Sequence, residues 1–111
     1  MTTIFGRIIK GELPAEKIYE DEEFLVIEDI HPKAPVHLLI IPKKEYPNLQ
    51  VVPEGDLSLV AGVAKIAQKM AAKYHIENGY RLLTNNGSSA GQTIFHLHFH
   101  LLGGRGLGDL G

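Results

Sequence analysis

Three histidines, His96, His98 and His100, alternate with apolar residues in the segment 95–101, which reads FHLHFHL. Successive side chains of a strand point to opposite faces, so the alternation predicts that the three imidazoles share one face. The other face is then an apolar stripe directed into the core, formed by Phe95, Leu97, Phe99 and Leu101. The segment therefore separates a face for chemistry from a face for packing.

Two kinds of chemistry suit clustered imidazoles. One is metal binding, since imidazole is a common zinc ligand. His96 and His100 would lie roughly 13 Å apart along an extended strand, so one ion would need His37 to join two of the three. The other is attack of an imidazole nitrogen on phosphorus, which forms a covalent nucleotidyl intermediate that water hydrolyses.

The polar loop 85–92 precedes the histidines and favours attack on phosphorus over metal binding. Its glycines allow backbone N–H groups to approach an anion closely. Asn85 and Thr93 add neutral hydrogen-bond donors beside them. A glycine-rich loop is by itself only a turn, but next to three aligned histidines it is a candidate phosphate cradle.

The remaining elements must position these groups. Thr3 is expected to cap a short helix that Gly11 ends. Strands are expected at 17–20, 24–28, 36–41, 80–84 and 94–102, and the first two flank a hairpin turn at 21–23. Apolar spacing predicts one long helix over 56–74, ended by Asn78-Gly79. Only the connection through that helix is long enough to join parallel strands, so we expect an α+β fold with a mostly antiparallel five-stranded sheet.

Composition limits the function classes. The 111 residues include no cysteine, which excludes a disulfide scaffold, a thiolate zinc site and a cysteine nucleophile. Eleven Lys and Arg against thirteen Asp and Glu give a formal charge of −2, which argues against a nucleic-acid binder. No apolar run approaches the roughly 18 residues of a membrane span, and no signal peptide is evident. We expect one cytoplasmic domain, 1–111, without a membrane partner.

The segment from His96 to Leu102 resembles the signature of the histidine-triad (HIT) superfamily. Stretches 3–9, 18–21, 29–37, 40–44 and 102–105 resemble its nucleotide-binding branch, over nearly the whole chain. Members of that branch are homodimeric purine nucleoside phosphoramidate hydrolases. The resemblance implies a single HIT domain that releases AMP or GMP and an amine, without a metal or other cofactor.

The resemblance also implies a role for individual residues. His98 would be the nucleophile, His100 would contact the phosphoryl oxygens, and His96 and His37 would complete the imidazole network. Thr93 stands where the branch usually has a serine near the leaving group. Asp29 would bind the ribose, Asn85 and Gly91 would lie on the phosphate side, and Gln92 would orient the loop or polarise the leaving group. The apolar walls around the base would be Ile4, Phe5, Ile8, Ile27 and Ile30.

Two alternatives stay open. Gly91-Gln92-Thr93 also matches the sister branch of dinucleoside-polyphosphate hydrolases, and an intact triad is equally compatible with a nucleotide-binding regulatory protein. A stripe of small residues on the long helix, Val60, Ala64, Ala67 and Ala71, fits either a dimer interface or the chain's own sheet. We expect His31 to be exposed and without a role.

Overall fold

The computed structural model describes residues 3–110 and has the predicted α+β architecture. The helices and strands are α1 (Ile4–Ile9), β1 (Lys17–Glu20), β2 (Phe24–Glu28), β3 (Val36–Pro42), α2 (Leu59–Lys73), β4 (Tyr80–Leu83) and β5 (Phe99–Gly103). Three single-turn 3-10 helices lie at Leu49–Val51, Glu54–Asp56 and Ser88–Ala90. Within residues 3–110, neither helix is long and apolar enough to cross a membrane.

The five strands form one sheet in the order β1-β2-β3-β5-β4, and all four neighbouring pairs are antiparallel. β5 lies between β3 and β4, although β4 precedes it in the chain. This insertion pairs Leu39 of β3 with His100 of β5. The same face of β3 carries His37, two residues before Leu39, so the topology brings two distant histidines to one face of the sheet.

The central strands are buried on both faces. Helix α2 covers one face, where Val26, Leu38 and Leu101 pack against Val63 and other apolar residues of the helix. A second cluster on the opposite face combines α1 with β2 and β3, and contains Phe5, Ile8, Leu25, Ile27, Leu39 and Ile41. Each such side chain contributes about 1.5–3 kcal/mol on burial. The α1 face is the one that carries the histidines.

Helix α1 and the first hairpin form as predicted. The Thr3 hydroxyl accepts a hydrogen bond from the amide of Gly6 at 3.2 Å, which satisfies one free N–H of the first turn. In the hairpin turn, Asp21 Oδ1 accepts from the amides of Glu23 at 2.8 Å and Phe24 at 2.7 Å. An aspartate that bonds the backbone two and three residues ahead is a typical turn former.

The long helix ends within one residue of its predicted end at Tyr74, but Asn78-Gly79 is not the signal that ends it. Helix α2 stops at Lys73, before Asn78-Gly79, and His75 adopts a left-handed conformation with φ of 59°. The amide of His75 donates to Ala72 O at 3.2 Å, and that of Ile76 donates to Ala71 O at 2.9 Å. These two bonds define a Schellman motif, in which a histidine occupies the position that glycine usually takes.

The predicted strand over 94–102 is too long at its start, because β5 begins only at Phe99. Pairing with β3 stops at Ile40 and Phe99, two residues before Pro42, which has no N–H to donate. The amide of Leu97 bonds Tyr46 O at 2.7 Å instead. Leu97, Phe99 and Leu101 are buried as expected, whereas Phe95 is 46% exposed and does not belong to the core.

Candidate active site

A pocket of about 290 Å³ opens beside α1 and the histidine segment. Eleven of the fourteen predicted site residues line it, namely Ile4, Phe5, Ile8, Ile27, Asp29, Ile30, Asn85, Gly91, Thr93, His98 and His100. The sequence prediction missed Leu39 and Ile94, which complete the apolar wall. Leu39 lies two residues after His37 on the same face of β3, so strand alternation was the signal that could have identified it.

One end of the pocket is apolar. Phe5, Ile8 and Ile27 are buried there, while Ile4 is half exposed and Ile30 is 85% exposed at the rim. Exposed His31 also lines the pocket, and its amide donates to Asp29 Oδ1 at 2.8 Å. The exposure of His31 agrees with the prediction, but its place in the pocket wall was not expected.

Two imidazoles, those of His98 and His100, line the other end of the pocket, and His37 lies next to His100 outside the pocket wall. The His37 and His100 ring nitrogens, Nε2 and Nδ1, lie 2.9 Å apart in a hydrogen bond. The His98 and His100 ring centroids are 5.1 Å apart. Asp29 Oδ2 lies 3.4 Å from His37 Nε2, which places a carboxylate beside the histidine network.

Backbone contacts define which nitrogens of His37 and His100 carry protons. The amide of Lys33 donates to His37 Nδ1 at 3.0 Å, so that nitrogen is an acceptor without a proton. His37 Nε2 therefore carries the proton and donates it to His100 Nδ1. As a result, the free proton of neutral His100 is on Nε2, which makes that atom a hydrogen-bond donor.

The His98 ring carries its proton on the other nitrogen, Nδ1 rather than Nε2. Its Nδ1 lies 2.7 Å from the carbonyl oxygen of His96, and because a carbonyl only accepts, Nδ1 must carry the proton. The Nε2 of neutral His98 is consequently unprotonated and has a free lone pair. The Phe5 ring packs edge-on against the imidazole at 5.0 Å between centroids and restricts its rotation. This is the arrangement that a nucleophilic imidazole requires.

The His96 ring lies outside this network. It is fully buried, and its Nε2 donates to the carbonyl oxygen of Pro42 at 2.7 Å. Its Nδ1 has no hydrogen-bond partner among the described residues. What His96 contributes to the pocket is therefore its backbone carbonyl, which orients His98.

Gln92 also lies outside the pocket, where it organises the loop. Its side chain is buried, accepts from the amide of Gly87 at 2.8 Å and donates to the carbonyls of Pro47 at 2.7 Å and Ile94 at 3.0 Å. With its three bonds, one amide side chain connects both ends of the loop to a separate segment. Gly91 can line the pocket because its φ of 102° is a conformation that suits glycine.

Comparison with known proteins decides the family. The HIT domain model matches residues 10–107. This chain belongs to the HIT family. An uncharacterized HIT-like protein from Chlamydia trachomatis is 56% identical over 110 residues, covering 99% of this chain and 99% of that protein.

Solved HIT structures share the fold. A HIT family hydrolase from Clostridium thermocellum is 48% identical with a TM-score of 0.92, over 97% of this chain and 95% of that one. A hypothetical histidine triad nucleotide-binding protein from Sulfolobus tokodaii is 42% identical with a TM-score of 0.78. That alignment covers 95% of this chain and 70% of the other.

Burial favours the neutral form of His37, His98 and His100. Desolvation lowers the pKa of His98 below its usual 6.5 and outweighs the hydrogen bond to the His96 carbonyl, which acts in the opposite direction. Desolvation, followed by the proximity of His98 and His37, lowers the pKa of His100 to about 4. Desolvation also lowers the pKa of His37, although Asp29 opposes this shift. At neutral pH the proton positions derived above therefore apply.

Asp29, His37 and His100 are close enough to be considered as metal ligands, because one ligand atom from each lies within 4.8 Å of the others. The proton positions do not fit such a site. His37 accepts at Nδ1 from a backbone amide, so its Nε2 carries a proton and has no lone pair for a cation. Binding a divalent ion there would require breaking the bond from Lys33.

Proposed function

We propose that this HIT protein hydrolyses purine nucleoside 5′-phosphoramidates, releasing AMP or GMP and an amine. The observation that carries this proposal is the free Nε2 lone pair of His98, held by the carbonyl of His96 in a pocket with one apolar and one imidazole end. Its relatives include proteins described as a hydrolase and as nucleotide-binding, in agreement with this assignment.

The pocket suits a purine nucleotide. The apolar end accepts the base between Phe5, Ile8 and the isoleucines of the rim. Asp29 lies beside the imidazole end, and a carboxylate there accepts hydrogen bonds from the two ribose hydroxyls. The phosphoryl group then lies against His98 and His100, where the loop residues Asn85 and Gly91 are also within the pocket wall.

In the first step, His98 Nε2 attacks phosphorus and forms a P–N bond to the enzyme. The P–N bond to the leaving amine breaks, its electron pair stays with the amine nitrogen, and that nitrogen takes a proton from solvent. The ring becomes positively charged, and its Nδ1–H continues to donate a hydrogen bond to the carbonyl oxygen of His96, which stabilises the charge. His100 Nε2–H donates to a phosphoryl oxygen.

In the second step, water attacks phosphorus and the bond to His98 breaks. The electron pair returns to Nε2, water releases one proton, and the nucleoside monophosphate leaves. His98 is regenerated as the neutral tautomer from which the cycle began. The scheme uses only imidazole groups, a backbone carbonyl and water, so no metal or cofactor takes part in it.

The proposal includes a homodimer built on α2 and a neighbouring strand. Of the small-residue stripe on the helix, Ala67 and Ala71 are buried against the chain's own sheet, whereas Val60 and Ala64 are exposed. Strand β4 lies at the sheet edge, and its Tyr80 and Leu82 are exposed as well. These exposed groups are the ones available for an interface.

The test is hydrolysis of adenosine 5′-phosphoramidate by the native protein and by His98→Ala. We expect kcat to fall about 10³-fold or more in the variant, because no other described group offers a free nitrogen lone pair at that place. The matched control is His75→Ala, which removes an exposed imidazole at the end of α2 and should retain native turnover.

Two further arms separate the alternatives. Turnover that a chelator abolishes would overturn the scheme in favour of a metal-dependent one. Faster turnover of a diadenosine polyphosphate than of the phosphoramidate would assign the chain to P–O–P hydrolysis. Binding of AMP without turnover of either substrate would indicate a nucleotide-binding protein rather than an enzyme.

A further inference from the structure

Arg105 lies two residues after β5 and contacts the loop that leads to His37. Its Nη2 donates to the carbonyl oxygen of Lys33 at 2.6 Å, across 72 positions of sequence. Lys33 is also the residue whose amide donates to His37 Nδ1. Lys33 thus accepts a hydrogen bond from Arg105 through its carbonyl and donates one to His37 through its amide.

The loop 29–35 depends on such contacts because it has no helix or strand structure. A second contact holds it from the same side. Gly104 has a φ of 96°, and a Cβ there would lie 2.9 Å from Pro35 Cβ. The segment that follows β5 is therefore packed against the loop at Pro35 and bonded to it at Lys33.

We propose that Arg105 is a positioning residue for catalysis, which holds the Lys33 amide against His37 and thereby selects the proton positions of His37 and His100. This inference rests on the function proposed above. It assigns to an exposed arginine, outside the pocket wall, control over the imidazole that faces the phosphoryl group.

Loss of the Arg105 contact affects His100 because the positions of the protons on the His37 and His100 rings are linked. Asp29 Oδ2 also favours a proton on His37 Nε2, but at 3.4 Å it is beyond the usual hydrogen-bond length. Without the Lys33 amide, neutral His37 can therefore carry its proton on Nδ1 and leave Nε2 bare. His100 must then carry its own proton on Nδ1 to keep the bond between the two rings. In that state His100 Nε2 has no proton, and the donor to the phosphoryl oxygen is lost while the nucleotide pocket is unchanged.

The first measurement compares Arg105→Ala, Arg105→Lys and Arg81→Ala on adenosine 5′-phosphoramidate. Arg81 is the matched control, since its guanidinium also donates to backbone carbonyls, those of Gly108 and Asp109, but does not bond the 29–35 loop. We expect Arg105→Ala to lower kcat about tenfold with KM changed less than about twofold. Arg105→Lys should recover much of the loss, because an ammonium can also donate to the Lys33 carbonyl.

The second measurement reads the proton positions directly, from ¹⁵N chemical shifts of the His37 ring in labelled protein. We expect an unprotonated Nδ1 in the native protein and in Arg81→Ala, and a population with protonated Nδ1 in Arg105→Ala. Thermal unfolding of each variant monitors stability separately, and the ¹⁵N spectra of all variants are recorded well below the lowest unfolding midpoint, so that Arg105→Ala reports the ring state of folded protein.

An unchanged His37 ring with unchanged kcat in Arg105→Ala would overturn the inference, even if the variant unfolds at a lower temperature. Equal losses in the Arg105 and Arg81 variants would overturn it as well. If the native protein does not turn over the phosphoramidate, the proposed function fails, whereas the ¹⁵N measurement still decides whether Arg105 selects the His37 proton position.

Discussion

At the residue scale, the backbone atom that each imidazole contacts determines what that imidazole can do. A carbonyl at Nδ1 leaves His98 with a bare Nε2, and an amide at Nδ1 leaves His37 with a protonated one. His100 takes its polarity from His37. In the proposed mechanism, similar side chains a few ångströms apart therefore serve as nucleophile, relay and donor, and the Asp29 carboxylate lies 3.4 Å from the protonated Nε2 of His37.

The pH dependence of turnover follows from these contacts. Protonation of His98 at Nε2 removes the lone pair, and burial holds its pKa below 6.5. We expect kcat/KM to stay flat as pH falls through 6.5 and to decline only at more acidic pH. The measurement is the pH profile of kcat/KM, with circular dichroism at each pH to verify folding. An acid limb centred at or above pH 6.5 would contradict the environment described for His98.

Much of this site was predictable from residue types and spacing. Alternation in 95–101 indicated that His98 and His100 act together, and the resemblance supplied Asp29 and the apolar wall. The proton positions were not predictable, because they depend on the amide of Lys33 and the carbonyl of His96. Every residue has those backbone groups, so nothing in the sequence marks the two that matter.

At the element scale, local pattern predicted both α-helices and all five strands of the described residues, but not the 3-10 helices or the points where the strand hydrogen bonds stop. The apolar alternation continues through 95–98, yet pairing ends at Phe99 because Pro42 cannot donate and the Pro42 carbonyl is taken by His96. The residue that terminates α2 was also not predicted, although the position of the helix end was. A histidine in the left-handed position has no sequence signature comparable to glycine.

His75 offers a test of that helix end. An L-residue in the left-handed region costs roughly 1–2 kcal/mol, part of which glycine avoids at the expense of greater freedom when unfolded. We expect His75→Gly to raise the free energy of unfolding by about 0.5–1 kcal/mol. Urea denaturation measures this, and His75→Ala, which retains the Cβ, should give no gain. A His75→Gly variant less stable than the native protein would contradict the assigned motif.

At the scale of the whole molecule, the two faces of the sheet carry different tasks. The α1 face carries the pocket, whereas α2 closes the other face with the larger core. Exposed apolar side chains remain on the α2 side and at the β4 edge, where Val60, Tyr80 and Leu82 are 37%, 38% and 36% exposed. An open strand edge with apolar neighbours is a surface that proteins usually cover.

We expect the proposed dimer to bury these exposed apolar side chains at the β4 edge. Light scattering on the native protein should give twice the chain mass, and Leu82→Lys should shift it to the monomer, because a buried ammonium at the interface lacks a partner. Glu16→Lys introduces the same charge just before β1, at the opposite edge of the sheet, and should leave the dimer intact. A native protein that is monomeric would contradict the proposed dimer. A dimer that persists in Leu82→Lys but dissociates in Glu16→Lys would show that the interface is not at β4. Since the pocket lies on the α1 face, Leu82→Lys should also retain nucleotide binding, which calorimetry with AMP would measure.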